Sequence, residues 1–207
     1  MNFIENILYY SEQCPDKPAI IDRNGQRVTT YSQLVNKARR MANYIKGLNL
    51  TRHSFILFQL PTSMECLVTE LGIWMNNHVA VPVGIFFPKQ RVDYIRSHCE
   101  SPLVITPDIF AKAMEQEADV FQMNQQADNE ALLIYTSGST GKPKGIIHDF
   151  KFINTRCTHS AKYLEVTENT IMGVGAPFLF YCESDVSFVS DRAWYGSHHQ
   201  SWGDEGC

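Results

Sequence analysis

The stretch that decides the fold is residues 135–145, Tyr-Thr-Ser-Gly-Ser-Thr-Gly-Lys-Pro-Lys-Gly. Its three glycines free the backbone to turn and to expose N–H groups. Its hydroxyl and ammonium groups add further hydrogen-bond donors, and polyphosphate oxygens bind where such donors converge. The stretch therefore predicts a phosphate-binding loop. A plain hairpin loop with solvated lysines has the same composition, so composition alone leaves both interpretations open.

Two common nucleotide-binding motifs are absent from this stretch. A Walker loop requires Gly-x-x-x-x-Gly-Lys, but counting from Gly138 the sixth position is Pro143. The dinucleotide-binding pattern Gly-x-Gly-x-x-Gly fails as well, because the next glycines are Gly141 and Gly145. Neither of these nucleotide-binding folds is predicted.

Short apolar runs alternate with amphipathic segments along the chain around the loop. Residues 54–60, 79–83, 103–106 and 131–135 are predicted strands, and the last leads directly into the loop. Helices are predicted between these strands, with brief connections. Such alternation indicates an α/β fold with a mostly parallel sheet flanked by helices.

Three helix starts are predicted from capping residues. A Ser or Thr followed three residues later by Glu or Gln forms a capping box. Thr30 with Gln33 opens one amphipathic helix in this way, and Thr62 with Glu65 opens the next. Asp149 is placed to cap a third helix, which follows the glycine-rich stretch.

Every position from Leu133 to Lys144 resembles the phosphate-loop signature of the AMP-forming adenylate ligase superfamily. That superfamily includes acyl-CoA synthetases, adenylation domains of peptide synthetases, and luciferases. Residues 30–34, 71–83 and 87–105 are similar to further segments of the family, so the resemblance covers about residues 1–180. It implies the N-terminal part of the ligase large domain, an incomplete α/β unit, because complete family enzymes are more than twice this length.

The resemblance implies a two-step ligase that uses ATP with Mg²⁺. A carboxylic acid attacks the α-phosphate, giving an acyl-adenylate and pyrophosphate, and the thiol of CoA or of a carrier protein then displaces AMP. No catalytic or metal-binding residue is assigned within this chain. The residues that the resemblance places around the β- and γ-phosphates are Thr136, Ser137, Gly138, Ser139, Thr140, Gly141 and Lys144.

Three functions are compatible with the resemblance. The leading one is a truncated acyl-CoA synthetase-like ligase, and the alternatives are a fragment of a peptide-synthetase adenylation domain or a non-catalytic nucleotide-binding fragment. The family's C-terminal domain with its catalytic lysine has no counterpart in the sequence. We therefore expect no appreciable ligase activity from this polypeptide alone.

Composition narrows the possible partners and the location. A formal net charge of −4 provides no basic surface for nucleic acid. No apolar run approaches the roughly 20 residues of a membrane span. The six cysteines include no Cys-x-x-Cys pair, which suits reduced thiols and a cytoplasmic location. The expected partners are a nucleotide and a carboxylic acid, and the oligomeric state is not predicted.

The composition changes near residue 181. Ile, Leu and Met make up one in five of residues 1–180 and are absent from residues 181–207. We therefore divide the chain into a partial AMP-binding ligase N-terminal domain, residues 1–180, and an atypical tail, residues 181–207. Shifting the tail's reading frame by one base permits a Leu- and Met-rich continuation. This favours an out-of-frame tail over a disordered polar end.

Other side chains have weaker claims to function. His148 follows the loop, and we favour a structural role for it over one near the acyl site. Cys66 and Cys99 lie on predicted helix faces and are expected to be buried thiols. Trp74 is expected in the core. The tail histidines at 198 and 199 match no zinc-site spacing.

Overall fold

Strands and helices alternate along the chain, as the apolar pattern predicts. The computed structural model describes residues 3–22, 25–121, 129–136, 143–167 and 170–171. The helices are α1 Phe3–Gln13, α2 Tyr31–Gly47, α3 Met64–Met75, α4 Lys89–His98, α5 Pro107–Met114 and α6 Phe150–Tyr163. The strands are β1 Pro18–Ile21, β2 Val28–Thr30, β3 Phe55–Phe58, β4 Val79–Pro82, β5 Leu103–Ile105, β6 Glu130–Thr136 and β7 Lys144–Asp149.

The main sheet has five strands in the order β5-β3-β4-β6-β7. Pairing is parallel between β5 and β3, between β3 and β4, and between β4 and β6, whereas β7 runs antiparallel to β6. The prediction of a mostly parallel sheet flanked by helices is confirmed. Because the carboxyl ends of parallel strands share one edge, the connection that follows β6 leaves the sheet at that edge. Strands β1 and β2 form a separate antiparallel pair.

The larger core covers one face of this sheet and is centred on Trp74, as expected for that residue. Its side chain is 2% exposed, and the rings of Phe3 and Phe150 meet it edge-on at centroid distances of 5.5 and 5.7 Å. The indole Nε1 donates to the Ala131 carbonyl oxygen at 2.7 Å. Trp74 thus ties α3 to α1, to α6 and to β6.

The opposite face of the sheet is covered by α4. Residues alternate between the two faces along a strand, so Ile56 and Phe58 of β3 join the larger core while Leu57 points to the other side. There Leu57 shares a second cluster with Ile95 of α4, which is fully buried. The two clusters make the sheet the middle of three layers.

One of the two predicted capping boxes is confirmed and the other is wrong. The Thr30 hydroxyl accepts from the Gln33 N–H at 3.3 Å, and the Gln33 side chain accepts from the Thr30 N–H at 3.2 Å. The N-cap residue of the next helix, α3, is Ser63 and not Thr62. The Ser63 side chain makes no capping hydrogen bond to the helix. The Ser63 hydroxyl donates to the Pro61 carbonyl oxygen at 2.8 Å, so it serves the preceding turn.

Three free cysteines lie in the described core. Cys66, Cys99 and Cys157 are free and buried, as expected for the first two. Burial raises the pKa of Cys66 to about 12, so its thiol stays protonated and is not a nucleophile at neutral pH.

The helices are of modest length. The longest within the described ranges is α2, with 17 residues, and its exposed side is polar. None of the helices in this part of the chain is long and apolar enough to cross a membrane.

Candidate functional site

The glycine-rich stretch connects β6 to β7. Thr136 ends β6, Lys144 begins β7, and the two residues are cross-strand partners. β6 and β7 therefore form an antiparallel pair whose near ends lie at the carboxyl edge of the parallel strands. Residues 137–142 lie outside the described part of the chain. The roles that the sequence analysis gives to Ser137, Gly138, Ser139, Thr140 and Gly141 therefore stay predictions.

The two described site residues flank that connection. Directly opposed residues of an antiparallel pair have their side chains on the same face, with Cα atoms about 4.5–5.5 Å apart. Thr136 and Lys144 are placed together in this way. Lys144 is exposed and Thr136 half-buried. Within the described ranges, the two ion pairs do not involve Lys144, so no described carboxylate competes for its ammonium group.

The third glycine of the stretch has a role that the sequence did not indicate. Gly145 lies within β7, opposite Tyr135, and so does not form part of the turn. A Cβ atom at Gly145 would lie 2.8 Å from Leu133 Cδ1 and 3.4 Å from Tyr135 Cζ. Position 145 is therefore occupied by glycine because the backbone of β7 passes close to the Leu133 and Tyr135 side chains of β6.

Sequence reasoning missed the role of Tyr135 at this site, since it identified the residue only as the end of a strand and the start of the glycine-rich stretch. Its side chain is buried, and its phenol oxygen lies 2.7 Å from His98 Nδ1. The Cys99 thiol neighbours the phenol, and its Sγ donates to the Arg96 carbonyl oxygen at 3.9 Å. Burial, then the neighbouring Cys99, raises the pKa of Tyr135, so the phenol stays protonated at neutral pH. No local signal could identify His98, which is distant in sequence.

His148 has the surroundings of a structural residue. It is half-buried in β7, and its ring stacks on Phe152 with centroids 4.4 Å apart and an interplanar angle of 26°. Burial lowers the pKa of His148, so the imidazole is neutral at pH 7. The next residue, Asp149, accepts from the Phe152 N–H at 2.6 Å, which confirms the predicted cap of α6. These contacts support the structural interpretation.

Acidic and imidazole groups are dispersed in the described structure. Within the described ranges, no group of three or more His, Cys, Asp or Glu side chains could hold a metal ion. The tail histidines His198 and His199, together with the proposed boundary at residue 180, lie outside those ranges. The described side-chain donors at the candidate site are the Thr136 hydroxyl and the Lys144 ammonium group, which suit an anion.

Two solved structures share this fold. The N-terminal subdomain of Klebsiella oxytoca NpsA, in complex with 3-hydroxyanthranilyl-AMSN, has a TM-score of 0.81 and 21% identity, covering 98% of this chain and 55% of that one. Bacillus subtilis o-succinylbenzoate CoA synthetase (MenE), in complex with the acyl-adenylate intermediate OSB-AMP, has a TM-score of 0.74 and 21% identity, covering 84% and 50%. At such identities, the likeness shows the fold alone.

A sequence relative is bacitracin synthase 1 of Bacillus licheniformis. It is 26% identical over 173 residues, which make up 76% of this chain and 3% of the relative. The chain thus spans a small fraction of this relative and about half of the two solved chains.

The family match follows the fold. Residues 9–127 and 110–189 match the model of the family described as AMP-binding enzyme. The two matches include all seven described strands and the hairpin with the glycine-rich connection. The chain therefore belongs to the AMP-binding enzyme family, as the resemblance implied.

Proposed function

We propose that the β6–β7 hairpin binds the polyphosphate of ATP and that the chain is part of an enzyme that activates a carboxylic acid as its acyl-adenylate. The observation that carries the proposal is the pairing of Thr136 with Lys144 across the hairpin. This pairing sets a hydroxyl and an ammonium group on one face, at the carboxyl edge of a parallel sheet. Ligands of open α/β sheets bind at that edge.

The donors in and beside the connection have one electrostatic role in this proposal. We propose that the backbone N–H groups of Ser137, Gly138, Ser139, Thr140 and Gly141, with the hydroxyls of the serines and the threonine, surround the β- and γ-phosphates. Thr136 and Lys144 flank them from the two strands. Negative charge grows on the pyrophosphate as it leaves, and donors already in place stabilise that charge without reorganising. They also fix the α-phosphate for attack.

The chemistry proposed for the whole enzyme has two steps. A carboxylate oxygen bonds to the α-phosphorus of ATP, and the bond from that phosphorus to the bridging oxygen breaks, so that pyrophosphate leaves with the electron pair. A thiol then attacks the acyl carbon, and AMP leaves. Mg²⁺ is proposed to arrive bound to the ATP phosphates.

The thiol acceptor divides this proposal into two branches. Our first branch is an acyl-CoA synthetase-like ligase with CoA as acceptor, and a CoA synthetase is among the enzymes that share the fold. The second branch is a peptide-synthetase adenylation domain with a carrier-protein thiol. The match to bacitracin synthase 1 supports that branch.

Nucleotide binding without turnover is proposed for the polypeptide of residues 1–207 on its own. It spans about half of the solved chains with which it shares the fold. Measurement of acid-dependent ATP–pyrophosphate exchange checks this, and robust exchange by the isolated polypeptide would contradict it. A chain that binds ATP without exchange would fit a non-catalytic nucleotide-binding fragment equally well.

Two further expectations stay proposals. We propose that residues 1–180 form the ligase part and that residues 181–207 are out of frame. Resequencing the locus decides this, because an intact native frame ending at Cys207 would contradict it.

We also propose a cytoplasmic location, which the free thiols of Cys66, Cys99 and Cys157 support. Microscopy of a tagged chain tests the location.

The site itself is tested by titrating the full chain with ATP in a calorimeter. Lys144→Ala removes the ammonium group that flanks the hairpin, and we expect affinity to fall about tenfold or more, because a hydrogen bond to a charged group is lost. The matched control is Lys151→Ala, an exposed lysine on α6, which should bind as the wild type does. Absence of ATP binding by the wild type, or equal effects of both substitutions, would contradict the proposed site.

A further inference from the structure

Tyr135 joins the candidate site to a helix on the other side of the sheet. It precedes Thr136 in β6 and is 7% exposed. Its phenol oxygen lies 2.7 Å from His98 Nδ1, and the two rings meet edge to face with centroids 5.6 Å apart and an interplanar angle of 83°. His98 is the last residue of α4. The hydrogen bond therefore connects the end of β6 to α4.

The same tyrosine ring also contacts β7. A Cβ atom added at Gly145 would lie 3.4 Å from Tyr135 Cζ and 3.5 Å from Tyr135 Cε1. The edge of the ring therefore lies against the backbone of Gly145, the residue that follows Lys144. One side chain thus contacts both strands of the hairpin and is bonded to a helix outside it.

Helix α4, which carries His98, is anchored in the core beside Tyr135. Ile95 is fully buried and Cys99, directly after the helix, is 8% exposed, and both belong to the cluster on that face of the sheet. The helix end that carries His98, the hydrogen-bond partner of the phenol, is therefore anchored in the core.

We propose that His98 and Tyr135 form a positioning pair that holds the hairpin in the arrangement required for polyphosphate binding. The proposal rests on the proposed function. Neither residue is placed in contact with the phosphates, so the pair acts through Thr136, which follows Tyr135, and through Lys144, which precedes Gly145. Because oriented donors must be fixed to within a fraction of an ångström, small movements of the two strands lower affinity.

The test measures binding of ATP and of inorganic tripolyphosphate to the full chain by calorimetry. Tyr135→Phe keeps the ring and removes the phenol, and His98→Phe keeps a ring and removes the nitrogen. We expect each to weaken both affinities about fivefold, the effect of losing one hydrogen bond. The double variant should be no weaker than either single variant, because both remove the same bond.

Two controls separate positioning from general stability. His98→Asn returns a polar group near the place of Nδ1 and should restore affinity to within about twofold of the wild type. Tyr94→Phe removes a hydroxyl from a ring that packs on His98, with centroids 5.7 Å apart, and should leave affinity unchanged. Thermal unfolding without ligand is recorded for every variant.

The outcomes are distinct. Wild-type affinity in both phenylalanine variants would overturn the positioning pair while leaving the proposed function in place. Weakened binding that follows the loss of thermal stability and is not restored by His98→Asn would also overturn it, because the pair would then be merely structural. If the wild type binds neither ATP nor tripolyphosphate, the proposed function fails and the positioning pair fails with it.

Discussion

The two strands of the hairpin differ in their surroundings although they are paired residue by residue. In β6, the five residues from Ala131 to Tyr135 are all buried. In β7, the four residues from Lys144 to Ile147 are all exposed. β6 lies between β4 and β7 in the sheet, whereas β7 ends the order of the described strands. One strand of the hairpin is therefore part of the core and the other is largely solvated.

The difference shows how a binding loop is attached to a rigid fold. β6 is held from both faces, by the Trp74 hydrogen bond to Ala131 on one side and by the Tyr135 bond to His98 on the other. β7 is held mainly by its pairing with β6 and by its last residue, Asp149, which caps α6. We infer that β6 holds the start of the connection in place, and that β7 is positioned by its pairing with β6.

The largest effect on stability is expected at two isoleucines that lie directly opposite each other in β6 and β7. Ile134 and Ile146 are cross-strand partners of the same residue type, but Ile134 is 2% exposed and Ile146 is 43% exposed. Ile134→Ala should lower the free energy of unfolding by about 2–5 kcal/mol, because it leaves a cavity in the core. Ile146→Ala should cost less than about 1 kcal/mol.

Equilibrium unfolding in urea, followed by circular dichroism, measures both changes. The two variants control for each other, since they remove the same atoms from opposite positions. Equal losses would show that β7 is as buried as β6 in solution.

A smaller effect is expected from a carboxyl group on the helix that supports β6. Glu70 of α3 is 1% exposed, and its Oε2 has no hydrogen-bond partner among the described residues. Burial raises the pKa of Glu70 from 4.5 to about 8. The folded state therefore favours the protonated form. The free energy of unfolding is highest with respect to this group below about pH 4.5, where Glu70 is protonated in both states. It falls as the pH rises from there toward 8, and it no longer changes with Glu70 above about pH 8.

Glu70→Gln should remove this pH dependence, because the amide has nearly the same shape and no charge to bury. We expect the variant to be more stable than the wild type by on the order of 2 kcal/mol at about pH 8, and the difference to shrink toward about pH 5. Unfolding in urea across that range measures it. Glu12→Gln, at an exposed position of α1, is the matched control and should leave the profile unchanged. A wild-type profile that is flat from about pH 5 to 8 would contradict the prediction.

The smallest effect concerns the contact between the two strands. Gly145→Ala places a methyl group against Leu133 and Tyr135, and we expect a cost of about 1 kcal/mol because the flexible leucine can move. Gly47→Ala is the control, since a Cβ atom at Gly47 meets no described atom within 4 Å. It should be neutral or slightly stabilising at the end of α2. Thermal unfolding distinguishes the two, and equal behaviour would show that β7 adjusts freely.

The sequence predicted most of the fold, because the signals for its elements are local. The four parallel strands of the main sheet were each found as an apolar run, and the start of α2 was found from Thr30 and Gln33. Strand β7 was not found. Its sequence, Lys-Gly-Ile-Ile-His-Asp, has no clean alternation, and its conformation depends on pairing with β6.

The candidate site was predicted only in part. The donors of residues 136–144 could be identified from residue type and glycine spacing, since both are properties of one short stretch. The contact of Tyr135 with His98 could not, because it joins two elements that are distant in the chain. The role of Gly145 was also missed, because a close approach is invisible until the neighbouring strand is in place.

By itself, then, the sequence determined the alternation of strands and helices and the donors of the phosphate-binding stretch. These depend on periodicity and residue chemistry within a few positions. The tertiary structure alone decided that β6 is buried while β7 is exposed, that Thr136 and Lys144 are opposed, and that Tyr135 is bonded to α4. Burial, strand order and hydrogen bonds between distant residues result from packing the whole chain, and no local pattern encodes them.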